Sequence, residues 1–100
     1  MALDVLLYKK GTLVHKDHIS ESLHDALFKK NKNWGSYLTL RKLQDYYRTD
    51  VRLNRRQMDE LVSELEQMKI FVDNQAAEQI DQLKDVLSRS TYDEAWIGGD

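Results

Sequence analysis

From residue 58 to residue 68 the apolar side chains Met58, Leu61, Val62, Leu65 and Met68 recur every three or four positions. That is the spacing of an α-helix with one buried face, and a strand would need strict alternation instead. Asn54 and Gln57 stand just ahead of the run, three apart, as in a capping box. The spacing predicts a helix over 55–69. A second stripe follows at Ala76, Ile80, Leu83 and Leu87, with Asp73 or Asn74 as its start and residues 88–91 as its end. Two earlier helices are expected on the same logic. Asp17 would cap one that runs to about Lys30, with Ile19, Leu23, Ala26 and Leu27 facing inward. Lys29, Lys30 and Lys32 gather at its C-terminal end, where the helix dipole favours cations. Ser36 would cap the other, over 36–47, with Tyr37, Leu40, Leu43 and Tyr47 as its apolar line. Residues 48–53 lose the helical period and read as a connection.

Proline is absent and glycine occurs only at 11, 35, 98 and 99, which favours long helices over loops. The apolar run at 3–8 suits a short strand, with Lys9, Lys10 and Gly11 as its exit turn. Ala95, Trp96 and Ile97 suit a second extended segment packing back on it. The expected fold is therefore mainly α: a compact bundle of about four helices, with a short strand pair from the N- and C-terminal segments. A chain of 100 residues holds a single domain, 1–100.

Charge is sorted along the chain. Residues 1–58 hold 12 Lys/Arg against 6 Asp/Glu, whereas residues 59–100 hold 3 against 11, so the net −2 conceals a basic and an acidic half. Such asymmetry points to a charged macromolecular partner rather than a small substrate. With no cysteine, disulfide frameworks, thiolate metal sites and cysteine nucleophiles are excluded. No charged leader precedes the short apolar start and no run reaches the length of a membrane span, so a cytoplasmic protein is expected, without membrane association.

Catalytic constellations are absent. His15, His18 and His24 lack the convergence that a metal site requires. Ser20, His24 and Asp25 are triad residue types, but Asp25 points away from the other two on a helix and no nucleophile elbow is present. No cofactor or enzymatic activity is expected. A helix over 36–47, a turn, and a helix opening with Arg55 and Arg56 resemble a helix-turn-helix reader of nucleic acid. Against this, the connection is longer than that motif allows, and Asp59, Glu60, Glu64 and Glu66 would repel phosphates. Aromatic residues beside carboxylates (Tyr46 and Tyr47 with Asp45 and Asp50, Trp96 with Asp93 and Glu94) supply both area and register for a protein interface.

One resemblance bears on function. The stretch 43–51 (Leu-Gln-Asp-Tyr-Tyr-Arg-Thr-Asp-Val), then Asn54, Gln57, Met58, Leu61, Val62, Glu64 and Leu65, and the closing Trp96-Ile97-Gly98-Gly99-Asp100 resemble a family of small bacterial proteins. Its members include immunity proteins, which neutralise toxins in interbacterial competition. The family pattern has an Asp-x-Tyr-Gly-Asp-Thr-like run and ends aromatic-Ile/Val-Gly-Asp. Here Arg48-Thr49-Asp50 replaces Gly-Asp-Thr, and Gly99 is inserted. The resemblance implies a cognate toxin as partner, a nuclease with a basic cleft that an acidic surface would occlude. Asp45, Tyr46, Asp50, Asp59, Glu60, Glu64, Asp81, Asp85 and Trp96 are the expected contacts. A nucleic-acid-binding regulator is the alternative.

Overall fold

The computed structural model describes residues 2–30, 32–45 and 48–99. Leu3, Val5 and Leu7 alternate with Asp4, Leu6 and Tyr8, and this period of two folds Ala2–Lys9 into strand β1. Lys10 and Gly11 both adopt positive φ, 51° and 80°. That is the backbone of a type I′ hairpin turn, whose twist matches the strands it joins. The chain therefore turns back at once into β2, Thr12–Ser20, antiparallel to β1, instead of leaving β1 by a loop. Val14 is an extra residue at a bulge near the turn, between the His15 and Leu13 that pair with Leu7 and Tyr8.

Ser20 ends β2 and caps helix α1, Glu21–Phe28, accepting from the Leu23 N–H at 3.2 Å. Residues 33–36 and 40–43 form two short 3₁₀ turns. Strand β3, Asp50–Asn54, leads directly into α2, Arg55–Met68, through the expected capping box of Asn54 and Gln57. A third 3₁₀ turn, Lys69–Phe71, joins it to α3, Asn74–Leu87, capped by the Asp73 carboxylate on the Ala76 N–H at 2.8 Å. Strand β4, Glu94–Gly98, completes the sheet.

The strand order is β2-β1-β4-β3, antiparallel throughout. Leu3, Val5, Leu7, Ile19, Leu53, Ala95 and Ile97 point to one face and join the buried residues of all three helices in a single cluster. The helices thus cover one side of the sheet and leave the other uncovered (Fully buried Leu61, Leu65, Met58 and Met68 show how completely the α2 stripe is used).

The four-helix bundle is overturned: the described residues form an α/β fold, with three α-helices against a four-stranded sheet. Each correction has a physical cause. Residues 12–20 carry the outer strand of a hairpin, so Ile19 is buried from a strand and Asp17 caps nothing. Strand β3 takes up most of the 48–53 stretch read as a connection and runs on to Asn54, alternating with Val51 and Leu53 inward and Asp50, Arg52 and Asn54 outward. Residues 36–47 do not form the expected helix within the described part. The N–H groups of Thr39 and Leu40 go to the Glu64 carboxylate, and the i−3 bonds Lys42 to Thr39 and Gln44 to Arg41 tighten the chain into a 3₁₀ turn. Tyr46 and Tyr47 lie outside the described residues.

Buried His24 ties α1 to the second 3₁₀ turn through a 2.8 Å contact between Nε2 and the Leu43 carbonyl. Desolvation by burial lowers its pKa from the ordinary 6.5, and the Leu43 carbonyl and Asp25 only partly offset this. The unfolded chain therefore binds the proton first, and stability should fall as pH drops below about 6.5. Lys84 and Lys69 hold the Glu66 and Asp81 carboxyls below their ordinary 4.5 and 3.8, so those two groups act only in stronger acid. Urea midpoints between pH 7.5 and 5 should decline in the natural chain and stay nearly level in His24→Gln; parallel profiles would refute this role.

Candidate protein-binding face

The uncovered side of the sheet is built by register. Residues directly opposite one another across antiparallel strands share a face. Its first row is therefore His18, Asp4, Gly98 and Asp50, and its second is Lys16, Leu6, Trp96 and Arg52. The third, beyond the bulge, is Leu13, Tyr8, Glu94 and Asn54. Leu6, Tyr8 and Trp96 are half-buried and Leu13 is 39% exposed, so an apolar line runs diagonally over three strands. Exposed Lys16 and Arg52 flank it at the sheet edges.

Trp96 is fixed within this face. Its Nε1–H donates to the Asp50 carboxylate at 2.6 Å. Its ring lies on Gly98, where an added Cβ would stand 2.2 Å from both Cη2 and Cζ2. Any side chain at 98 would displace the indole. The local sequence explains the arrangement: Trp96 and Gly98 are two apart on β4, hence on one face, and Asp50 is the cross-strand partner of Gly98. A large aromatic with one polar edge satisfied and one face open is a well-prepared anchor, because little side-chain entropy remains to be lost on binding.

The other expected contact residues are scattered. Asp59 pairs with Arg55 at 2.8 Å, Glu60 with Arg56 at 3.8 Å, Asp81 with Lys69 at 2.9 Å and Asp85 with Arg89 at 3.2 Å. Glu60 also accepts from the Thr39 hydroxyl at 3.2 Å. Glu64 accepts the Leu40 N–H at 2.7 Å and the Thr39 N–H at 3.1 Å. Asp45 closes a local turn by accepting the Arg48 N–H at 3.2 Å. Each of the five helical carboxylates thus has a partner inside the molecule, and they do not form one bare negative platform. Of the expected contacts among the described residues, Asp50 and Trp96 are the two brought together on the sheet.

Arg55 serves the fold rather than a groove reader. Its guanidinium donates to the carbonyls of Leu87, Arg89 and Tyr92, the last two at 2.8 Å. With β3 in place of a turn and no α-helix at 36–45, the helix-turn-helix frame is missing from the described residues. No family model, curated protein or solved structure matches this chain. Among the described residues, no group of three or more His, Asp or Glu could hold a metal, and no helix is long and apolar enough to cross a membrane.

Sequence reasoning missed Leu6, Tyr8, Lys16, Arg52 and Gly98 as neighbours of Trp96. The available signal was the Lys10-Gly11 turn after β1 and the alternation in 50–54; with 12–20 and 50–54 taken as strands, Lys16 and Arg52 fall on a shared face.

Proposed function

We propose that this chain is a non-catalytic binding protein that docks on a partner through the uncovered face of its sheet. In this reading it acts as an immunity protein, neutralising a cognate toxin in the bacterial cytoplasm by occluding that toxin's working surface. The observation that carries the binding role is Trp96, held half-buried on an uncovered sheet by Asp50 and Gly98. The resemblance of residues 43–65 and of the closing Trp96-Ile97-Gly98-Gly99-Asp100 to toxin-neutralising proteins supports a toxin as the class of partner.

The contact surface moves from the helices to the sheet for an energetic reason. Exposed ion pairs such as Asp85–Arg89 are worth little in themselves, yet a partner's cation must compete with the internal one. The apolar ring face of Trp96, beside Leu6, is a contact that no ion pair has to be broken to use, and tryptophan falls in the class of side chains that dominate interfaces.

Affinity capture from the native host tests the reading. Tagged natural chain should retain a polypeptide whose expression alone arrests growth, and co-expression should restore growth. Trp96→Ala should weaken retention by about 30-fold or more, the effect of losing a hot spot of about 2 kcal/mol, whereas Asp85→Ala should not. Capture indifferent to Trp96→Ala would overturn the docking face. Retention of nucleic acid that is lost with Arg56→Glu would replace the reading with the regulator.

A further inference from the structure

The surroundings of the Trp96 ring say what chemistry it is set to receive. Gly98 pairs with Asp4 on β1 and with Asp50 on β3. The indole ring covers Gly98, so it lies over the row that holds Asp4 and Asp50, whose backbone positions stand roughly 5 Å to either side of Gly98 by ordinary cross-strand spacing. Asp50 accepts the indole N–H. A carboxylate bound at that edge pushes electron density into the ring and deepens the negative potential over its open face. Asp4 is exposed on the other flank and, among the described residues, its carboxylate takes part in no ion pair or hydrogen bond, its backbone being used by the sheet. The third nearby carboxylate, Glu94, is met by Arg52 at 3.4 Å.

We propose that the sheet face receives an arginine of the partner protein, its guanidinium stacked on Trp96 and its N–H groups directed to Asp4 and Asp50. The inference rests on the sheet face being the docking surface and adds the chemistry of its occupant. A planar guanidinium can stack on an indole and still present donors at its rim, which a lysine ammonium cannot do together. Charge complementarity decides against other occupants. A nucleobase stacked there would carry its phosphates past Asp4 and Asp50, and an acidic peptide would meet the same two charges; of the two cations in the Trp96 row, Arg52 is already met by Glu94 and Lys16 stands two strands away on β2. A second copy of this chain, laid face to face about a two-fold axis along or across the strands, would bring Lys16 against Arg52 or against its own equivalent.

The test uses the free chain and needs no toxin. ¹⁵N-labelled protein is titrated with the blocked peptide Ac-Gly-Arg-Gly-NH₂, and in parallel with its citrulline and lysine counterparts. The arginine peptide should shift the Trp96 indole N–H and the amides of Asp4, Asp50 and Gly98, with an affinity about three- to tenfold above that of the lysine peptide. The citrulline peptide, alike in shape but uncharged, should leave them in place. Asp4→Asn should weaken the arginine response several-fold, and Trp96→Leu should abolish it. Equal shifts with citrulline, or arginine shifts confined to other residues, would overturn the proposal. The two readings fail separately. If the peptide is ignored while a captured partner still depends on Trp96, the docking face stands and its arginine does not. If the peptide binds but no partner depends on Trp96, the cation site stands and the docking role does not.

Discussion

Arg55→Ala should lower the unfolding free energy by about 2–4 kcal/mol and the melting temperature by about 10–25 °C. Arg55 opens α2, yet its guanidinium reaches the far end of α3 and the loop beyond it, where it meets the carbonyls of Leu87, Arg89 and Tyr92. The last carbonyls of a helix have no intrahelical donor, and a cation there also answers the helix dipole. With its side chain 29% exposed, Arg55 offers hydrogen bonds that water only partly replaces. A charge-assisted bond of this kind is worth about 1.5–3 kcal/mol, and losing the set removes a large share of a total near 5–15 kcal/mol. Arg56 is the control: 80% exposed and 3.8 Å from Glu60, it should matter by no more than about 0.5 kcal/mol when changed to alanine. Thermal and urea unfolding of both variants by circular dichroism decide the matter. Similar losses at 55 and 56 would show that the guanidinium of Arg55 does not hold α3 to its loop.

Glu64→Ala should cost about 1.5–3 kcal/mol and should act on one segment first. The Glu64 carboxylate holds the Leu40 and Thr39 N–H groups at 2.7 and 3.1 Å, and both residues are buried. Removing it strands two backbone donors at the start of the second 3₁₀ turn. Amide exchange at 39 and 40 should accelerate well ahead of exchange in β1 and β4. Glu64→Gln keeps one acceptor oxygen and should fall between the two. Partner capture by folded Glu64→Ala should match the natural chain, because this carboxylate faces its own chain. Normal exchange at 39 and 40 in Glu64→Ala would remove the structural role.

Some of the architecture was legible because it is written locally. The 58–68 stripe and the Asn54–Gln57 box specify α2, and the Ala76–Leu87 stripe with Asp73 specifies α3, without reference to the rest of the chain. What escaped was set by long-range pairing. Residues 12–20 place a single fully buried apolar side chain, Ile19, on the core face, so hydrophobic periodicity is too thin to separate strand from helix. The decisive signal was the turn, since Lys10-Gly11 at positive φ dictates an immediate return. Residues 36–47 carry helical spacing but follow Gly35 and contain Ser36, Tyr37 and Thr39, weak helix formers, and Glu64 takes the Thr39 and Leu40 amides. Likewise, Asp50 and Trp96 are 46 apart in sequence, and only the β3–β4 register makes them neighbours. The helical carboxylates looked available because sequence does not display i,i+4 partners as partners until the helix axis is known; Arg55–Asp59, Arg56–Glu60 and Asp85–Arg89 all have that spacing.

The pairing of β1 with β4 governs how such a molecule assembles over time. The two central strands are separated by nearly the whole described chain, so the hairpin of β1 and β2 must wait for residues 94–98 before its inner edge is closed. Closure of so large a loop makes refolding slower than in a helical bundle of equal length. Until that closure, the unsatisfied edges of β1 and β3 invite pairing with other chains, and nascent copies are most vulnerable to aggregation in that interval.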